Sequence, residues 1–61
     1  MDKKKLIDKA MEYEKIMAEK RGYGSGITAT MLNIFSIDQL KELNKKTEKT
    51  LKQLGWIVKE D

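Results

Sequence analysis

The sequence predicts a small all-α domain of three to four helices, with a helix-turn-helix-like C-terminal half and a short extended segment near its end. Three observations lead there. Apolar residues recur at helical spacing in both halves of the chain. Proline is absent, so nothing forbids long helices. The periodic stretches are bounded by capping residues or by glycine. With 61 residues, the chain has room for one domain, 1–61.

A helix is expected over 2–21. Leu6, Ala10, Tyr13 and Met17 share one face, Ile7, Met11 and Ala18 widen it, and Ile16 falls on the far side. Asp2 is placed to cap it, and Lys20 and Arg21 suit the negative end of its dipole. Gly22, Gly24 and Gly26 then mark a loop over 22–26, read as a flexible connector. Segment 27–35 is rich in β-branched residues but groups Ile27, Met31, Ile34 and Phe35 at helical spacing. A short helix is favoured, because a lone strand has no evident partner.

Ser36 and Gln39 form a capping-box sequence, so a helix should begin there and run over 36–43. The next stretch, 44–50, contains no apolar residue. One continuous helix would put Asn44 and Thr47 on the buried seam with Leu40 and Leu51. A turn over 44–47 removes that conflict and makes Thr47 the cap of a new helix over 48–54. Gly55 ends it, and 56–59 reads as extended.

Composition excludes several functions. The chain has neither cysteine nor histidine. Disulfides, zinc-finger ligation and His-activated nucleophiles are therefore impossible. No catalytic, cofactor-binding or metal-binding residue is expected, and the chain reads as a binding protein rather than an enzyme. Arg21 to Gly26 contains a Gly-x-Gly-x-Gly, but phosphate cradles need a preceding strand and a following helix, and here a helix precedes it. No apolar run approaches the roughly 18 residues a membrane span needs, and no apolar stretch behind 1–5 is long enough for a signal peptide. A cytoplasmic protein without a membrane partner is expected. Met11, Met17 and Met31 read first as core filling.

Thirteen Lys plus Arg against ten Asp plus Glu leave a net charge of +3. Five lysines and two glutamates over 41–53 give a local +3, so the remainder sums to zero. Leu40 to Val58, LKELNKKTEKTLKQLGWIV, resembles the helix-turn-helix of small transcription regulators. Lys45 stands where such motifs prefer glycine, and Lys46 where an apolar residue is usual. The resemblance implies that the helix over 48–54 recognises DNA, with Glu48, Lys49, Lys52 and Gln53 facing outward. Lys41, Lys45 and Lys46 would then lie near phosphates. The function expected first is therefore a small regulator binding duplex DNA as a homodimer. The alternative is a small inhibitor or adaptor docking an apolar helical face on a larger protein. Met11, Ile16 and Trp56 are its candidate interface residues.

Overall fold

A computed structural model describes residues 2–57. They form an all-α domain of three helices: α1 (Lys3–Arg21), α2 (Ala29–Leu32) and α3 (Ile37–Leu54). Local chemistry sets the helix ends. The Asp2 carboxylate accepts the Lys4 N–H at 3.1 Å, and Gly22 closes α1 in the left-handed region (φ 87°), donating to the Ala18 carbonyl. Ser36 and Gln39 make a complete capping box, with reciprocal hydrogen bonds of 3.1 and 2.8 Å. At the other end of α3, Gly55 (φ 75°) and Trp56 donate to the Lys52 and Leu51 carbonyls, the full Schellman arrangement.

Helices α1 and α3 lie side by side and run in the same sense. Leu6 meets Asn44, and further along both helices, two turns on in α1 and one turn on in α3, the long side chain of Tyr13 meets Glu48. A same-sense pair needs a long return, because a 19-residue helix is about 28 Å long. Residues 22–36 make that return. They end beside the first turn of α1, where Lys3 Nζ donates to the Asn33 carbonyl at 2.7 Å. The Cα envelope of 29 × 28 × 14 Å is a slab: the helix pair with the return segment laid across it.

The core is small. Leu6, Ile7 and Ala10 of α1 pack with Leu32 of α2 and Leu40 of α3, and Met11, Ile27 and Leu43 lean against them. Leu32, Leu40 and Leu51 are the largest fully enclosed side chains.

Three expectations are corrected. First, no turn interrupts 44–47, and the expected helices over 36–43 and 48–54 are one, α3. The seam tolerates Asn44 because its Nδ2 donates to the Leu6 carbonyl at 3.0 Å, and Thr47 is only half-buried. Lys45, where a turn would prefer glycine, and Lys46, where the motif would prefer an apolar residue, are both good helix formers. Glu42–Lys46 (4.0 Å) bridges from the first expected helix into the supposed break, and Glu48–Lys52 (2.7 Å) bridges the turn that follows it. Second, the expected helix over 27–35 shrinks to a single turn capped by Thr28. Leu32, outside the expected apolar group, takes the core position, while Met31, Ile34 and Phe35 face outward. Third, Trp56 is half-buried and curled into the α3 cap rather than starting an extended piece; residues 58 and 59 of that expectation lie outside the described residues.

Asn44 carries a testable cost. Its Oδ1 is buried and meets no hydrogen-bond partner among the described residues. An unpaired buried acceptor costs about 1–3 kcal/mol, more than a typical hydrogen bond returns. Asn44→Leu, with the same branched heavy-atom skeleton and beside Leu6 and Leu40, should therefore raise the unfolding free energy by about 1 kcal/mol. Urea unfolding checks this; a loss of stability would mean that the Leu6 hydrogen bond is worth more than the orphaned oxygen costs.

Candidate nucleic-acid interface

The return segment covers one flank of the α1–α3 pair and meets α1 through Met11, Glu14 and Ala18. A shallow groove opens on the other flank. Its floor is Leu6, Tyr13 and Asn44, and its walls are lysines. Lys5 and Lys9, one turn apart, come from α1, and Lys41 and Lys45, also one turn apart, come from α3. Lys49, Lys52 and Gln53 continue the α3 wall from Lys45. The stretch holds six lysines against Asp2 and Glu48, a local +4 in a chain whose net charge is +3.

Contacts within the groove organise it. The Tyr13 hydroxyl donates to Glu48 at 3.0 Å, Lys52 pairs with the same carboxylate at 2.7 Å, and the Lys9 ammonium lies 5.3 Å from the Tyr13 ring centre. The hydrogen bonds from Lys52 first, and then from Tyr13, hold the Glu48 carboxyl below its ordinary value. It therefore stays charged and tethers Lys52. Lys5, Lys41, Lys45 and Lys49 have no ion-pair partner among the described residues, so their ammonium groups face solvent free to meet an anion.

Of the residues expected to touch nucleic acid, Lys41, Lys45, Lys49, Lys52 and Gln53 share this flank. Lys46 does not; it lies outside the groove and reaches back to Glu42. Lys5 and Lys9 were missed by sequence reasoning. Their spacing was visible, but the same-sense pairing of α1 with α3 that brings them opposite Lys41 and Lys45 was not. The expected interface residues do not assemble into an exposed patch. Met11 packs against the core, Ile16 is half-buried in a hollow with Tyr13 and Ile57, and Trp56 is half-buried in the cap.

The large apolar side chains that are exposed lie elsewhere. Met31, Ile34, Phe35 and Ile37 are exposed along the end of the return segment and the start of α3, Tyr23 and Leu54 are exposed elsewhere, and Ile34 is 82% exposed. Met31, Ile34, Phe35 and Ile37 belong to a sixteen-residue stretch, 22–37, with no charged residue in a chain that is 38% charged. Charged side chains border it all the same: the Lys3 ammonium sits on the Asn33 carbonyl, and Asp8, Glu12, Glu14 and Lys15 line the hollow beside Gly24, Gly26 and Ile27.

The glycine segment is not a free connector. Ser25 N–H donates to Glu14 at 2.8 Å, Arg21 approaches the same carboxylate at 3.4 Å, and the Arg21 guanidinium lies 5.0 Å from the Tyr23 ring centre. The Ser25 backbone N–H is the main cause that holds the Glu14 carboxyl below its ordinary value, with Arg21 adding to it. A carboxylate lowered on folding stabilises the fold above its unfolded pKa and loses that contribution as pH falls through the lowered folded value. Stability should therefore decline as pH drops below about 4.5, and Glu14→Gln should both weaken the protein at neutral pH and flatten that decline. Urea midpoints taken from neutral to acid pH test this; parallel curves for the two proteins would remove Glu14 as a cause.

No group of three or more acidic side chains suited to hold a metal ion occurs among the described residues. No helix among them is long and apolar enough to cross a membrane. Compared with protein-family models, curated proteins and solved structures, the chain matches none.

Proposed function

We propose that this chain is a small non-catalytic protein that binds the phosphate backbone of duplex DNA along the α1–α3 groove. The convergence of six lysines from two helices on one flank supports this reading. Lysine is a compact point charge that suits phosphate oxygens, whereas the planar guanidinium of arginine also pairs bidentately with phosphates, carboxylates and guanine edges. The flank carries no arginine, and Gln53 at its edge is its one amide beyond the buried Asn44. That composition favours contacts that position the protein on DNA over contacts that read bases. Lysines one turn apart on α3 rise about 6 Å, a spacing close to that of successive phosphates along a strand. Binding should therefore be tolerant of sequence and steeply weakened by salt. Fluorescence anisotropy with two unrelated duplexes of equal length tests the tolerance. Near-equal affinities are expected; a strong preference for one would point to base reading instead.

A second reading, docking on another protein, draws on the uncharged 22–37 stretch and its exposed Met31, Ile34, Phe35 and Ile37. Interface cores are depleted of charge, as this stretch is.

A further inference from the structure

We infer that Glu48 is an internal competitor in the lysine groove: its carboxylate fills an anion site made by the chain itself and withholds Lys52 from phosphate. The inference rests on the phosphate-binding reading and concerns how tightly that groove holds its ligand. Both carboxylate oxygens are engaged. Oε1 takes the Lys52 ammonium at 2.7 Å, and Oε2 accepts the Tyr13 hydroxyl at 3.0 Å. Lys9 stands close by, its ammonium 5.3 Å from the Tyr13 ring centre. An ammonium, a hydroxyl donor and a neighbouring cation, drawn from two helices, are the groups that hold a phosphate oxygen, and here they hold a carboxylate.

A second pair on the same helix shows that spacing alone does not produce this. Glu42 and Lys46 are also four residues apart on α3, but they stand 4.0 Å from each other and the Lys46 side chain is 76% exposed. Glu48 and Lys52 stand 2.7 Å apart, and the Lys52 side chain is 27% exposed. Outside the groove the pair is loose and its lysine stays in water. Beside the groove the lysine is drawn down onto the carboxylate. An exposed pair of this kind contributes little on its own. The difference is the Tyr13 hydroxyl, 35 residues away in sequence, which fixes Glu48 from the other helix. Glu48 also lines the same stretch of wall as Lys45, Lys49 and Lys52. Its charge therefore repels a phosphate there as well as holding Lys52. The groove has fewer working phosphate contacts than it has lysines.

Glu48→Gln tests this. The amide oxygen can still accept the Tyr13 hydroxyl, but the charge is gone. Glutamine is a good helix former, so the fold should survive. Anisotropy titrations of one fluorescent duplex at several salt concentrations should show binding about tenfold tighter at low salt and a salt slope steeper by about 0.9, one further phosphate contact. Glu42→Gln is the matched control, the same change on the same helix outside the groove. It should tighten binding no more than a few-fold and leave the slope unchanged. Glu48→Gln combined with Lys52→Gln should return the slope to that of the wild type, because the released lysine is gone. Equal gains for Glu42→Gln and Glu48→Gln, or a steeper slope that survives the loss of Lys52, overturn the inference. Wild-type binding that Glu48→Gln leaves unchanged overturns it too and leaves the phosphate reading standing. Absence of binding by the wild type and by Glu48→Gln alike overturns the phosphate reading, and this inference with it.

Discussion

Lys45→Glu combined with Lys49→Glu should weaken duplex binding about a hundredfold at low salt and reduce the salt dependence by about two phosphate contacts. Both side chains belong to the α3 wall of the groove, and neither has an ion-pair partner among the described residues. Each reversal removes an attraction and adds a repulsion, so the local charge of the flank falls from +4 to zero. The fold should survive. Both positions are exposed, and glutamate is as good a helix former as lysine. Lys46→Glu is the matched control. It removes the same charge from the same helix but lies outside the groove, and should cost only a few-fold. Equal losses for the control and for either groove lysine reversed singly would mean that net charge, not the groove, governs binding.

Leu40→Ala should cost about 3–5 kcal/mol and leave much of the population unfolded. Leu40 is fully enclosed and joins all three helices, packing with Leu6, Ile7, Ala10 and Leu32. Truncation leaves a cavity that a core of this size has few neighbours to refill. A domain of this length has roughly 3–9 kcal/mol of total stability, so one such loss consumes a large share of it. Leu54→Ala on the same helix should cost well under half as much, because Leu54 is 53% exposed. Thermal and urea unfolding compare the two variants. Similar costs at the two positions would place the core elsewhere.

The helix ends were legible because capping is local. Asp2, Gly22, the Ser36–Gln39 box and Gly55 each act within a few residues of where they stand. The buried stripe Leu6, Ala10 and Tyr13 followed from periodicity alone. Continuity through Asn44 was not legible. Whether a polar residue on a helix seam breaks the helix depends on a partner across the fold, here the Leu6 carbonyl, 38 residues away in sequence. The core role of Leu32 had the same cause: after one turn of α2 the chain bends, and period counting no longer tells inside from outside. The candidate site was half legible. The α3 lysines stood out as a charge concentration, whereas Lys5 and Lys9 joined them only through tertiary pairing. The helix-turn-helix geometry expected around those lysines is absent among the described residues, because α3 runs unbroken from Ile37 to Leu54.

The most direct test of phosphate binding by the α1–α3 groove is a titration of the single Trp, Trp56, with duplex DNA at two salt concentrations. The half-buried indole sits at the end of α3, beyond Lys52. Four unpaired lysines, Lys5, Lys41, Lys45 and Lys49, predict a slope of log affinity against log salt of about −3.6, or a loss of roughly 150-fold between about 50 and 200 mM. A slope near that value supports the account. Absence of binding at low salt, or an affinity that does not move with salt, contradicts it.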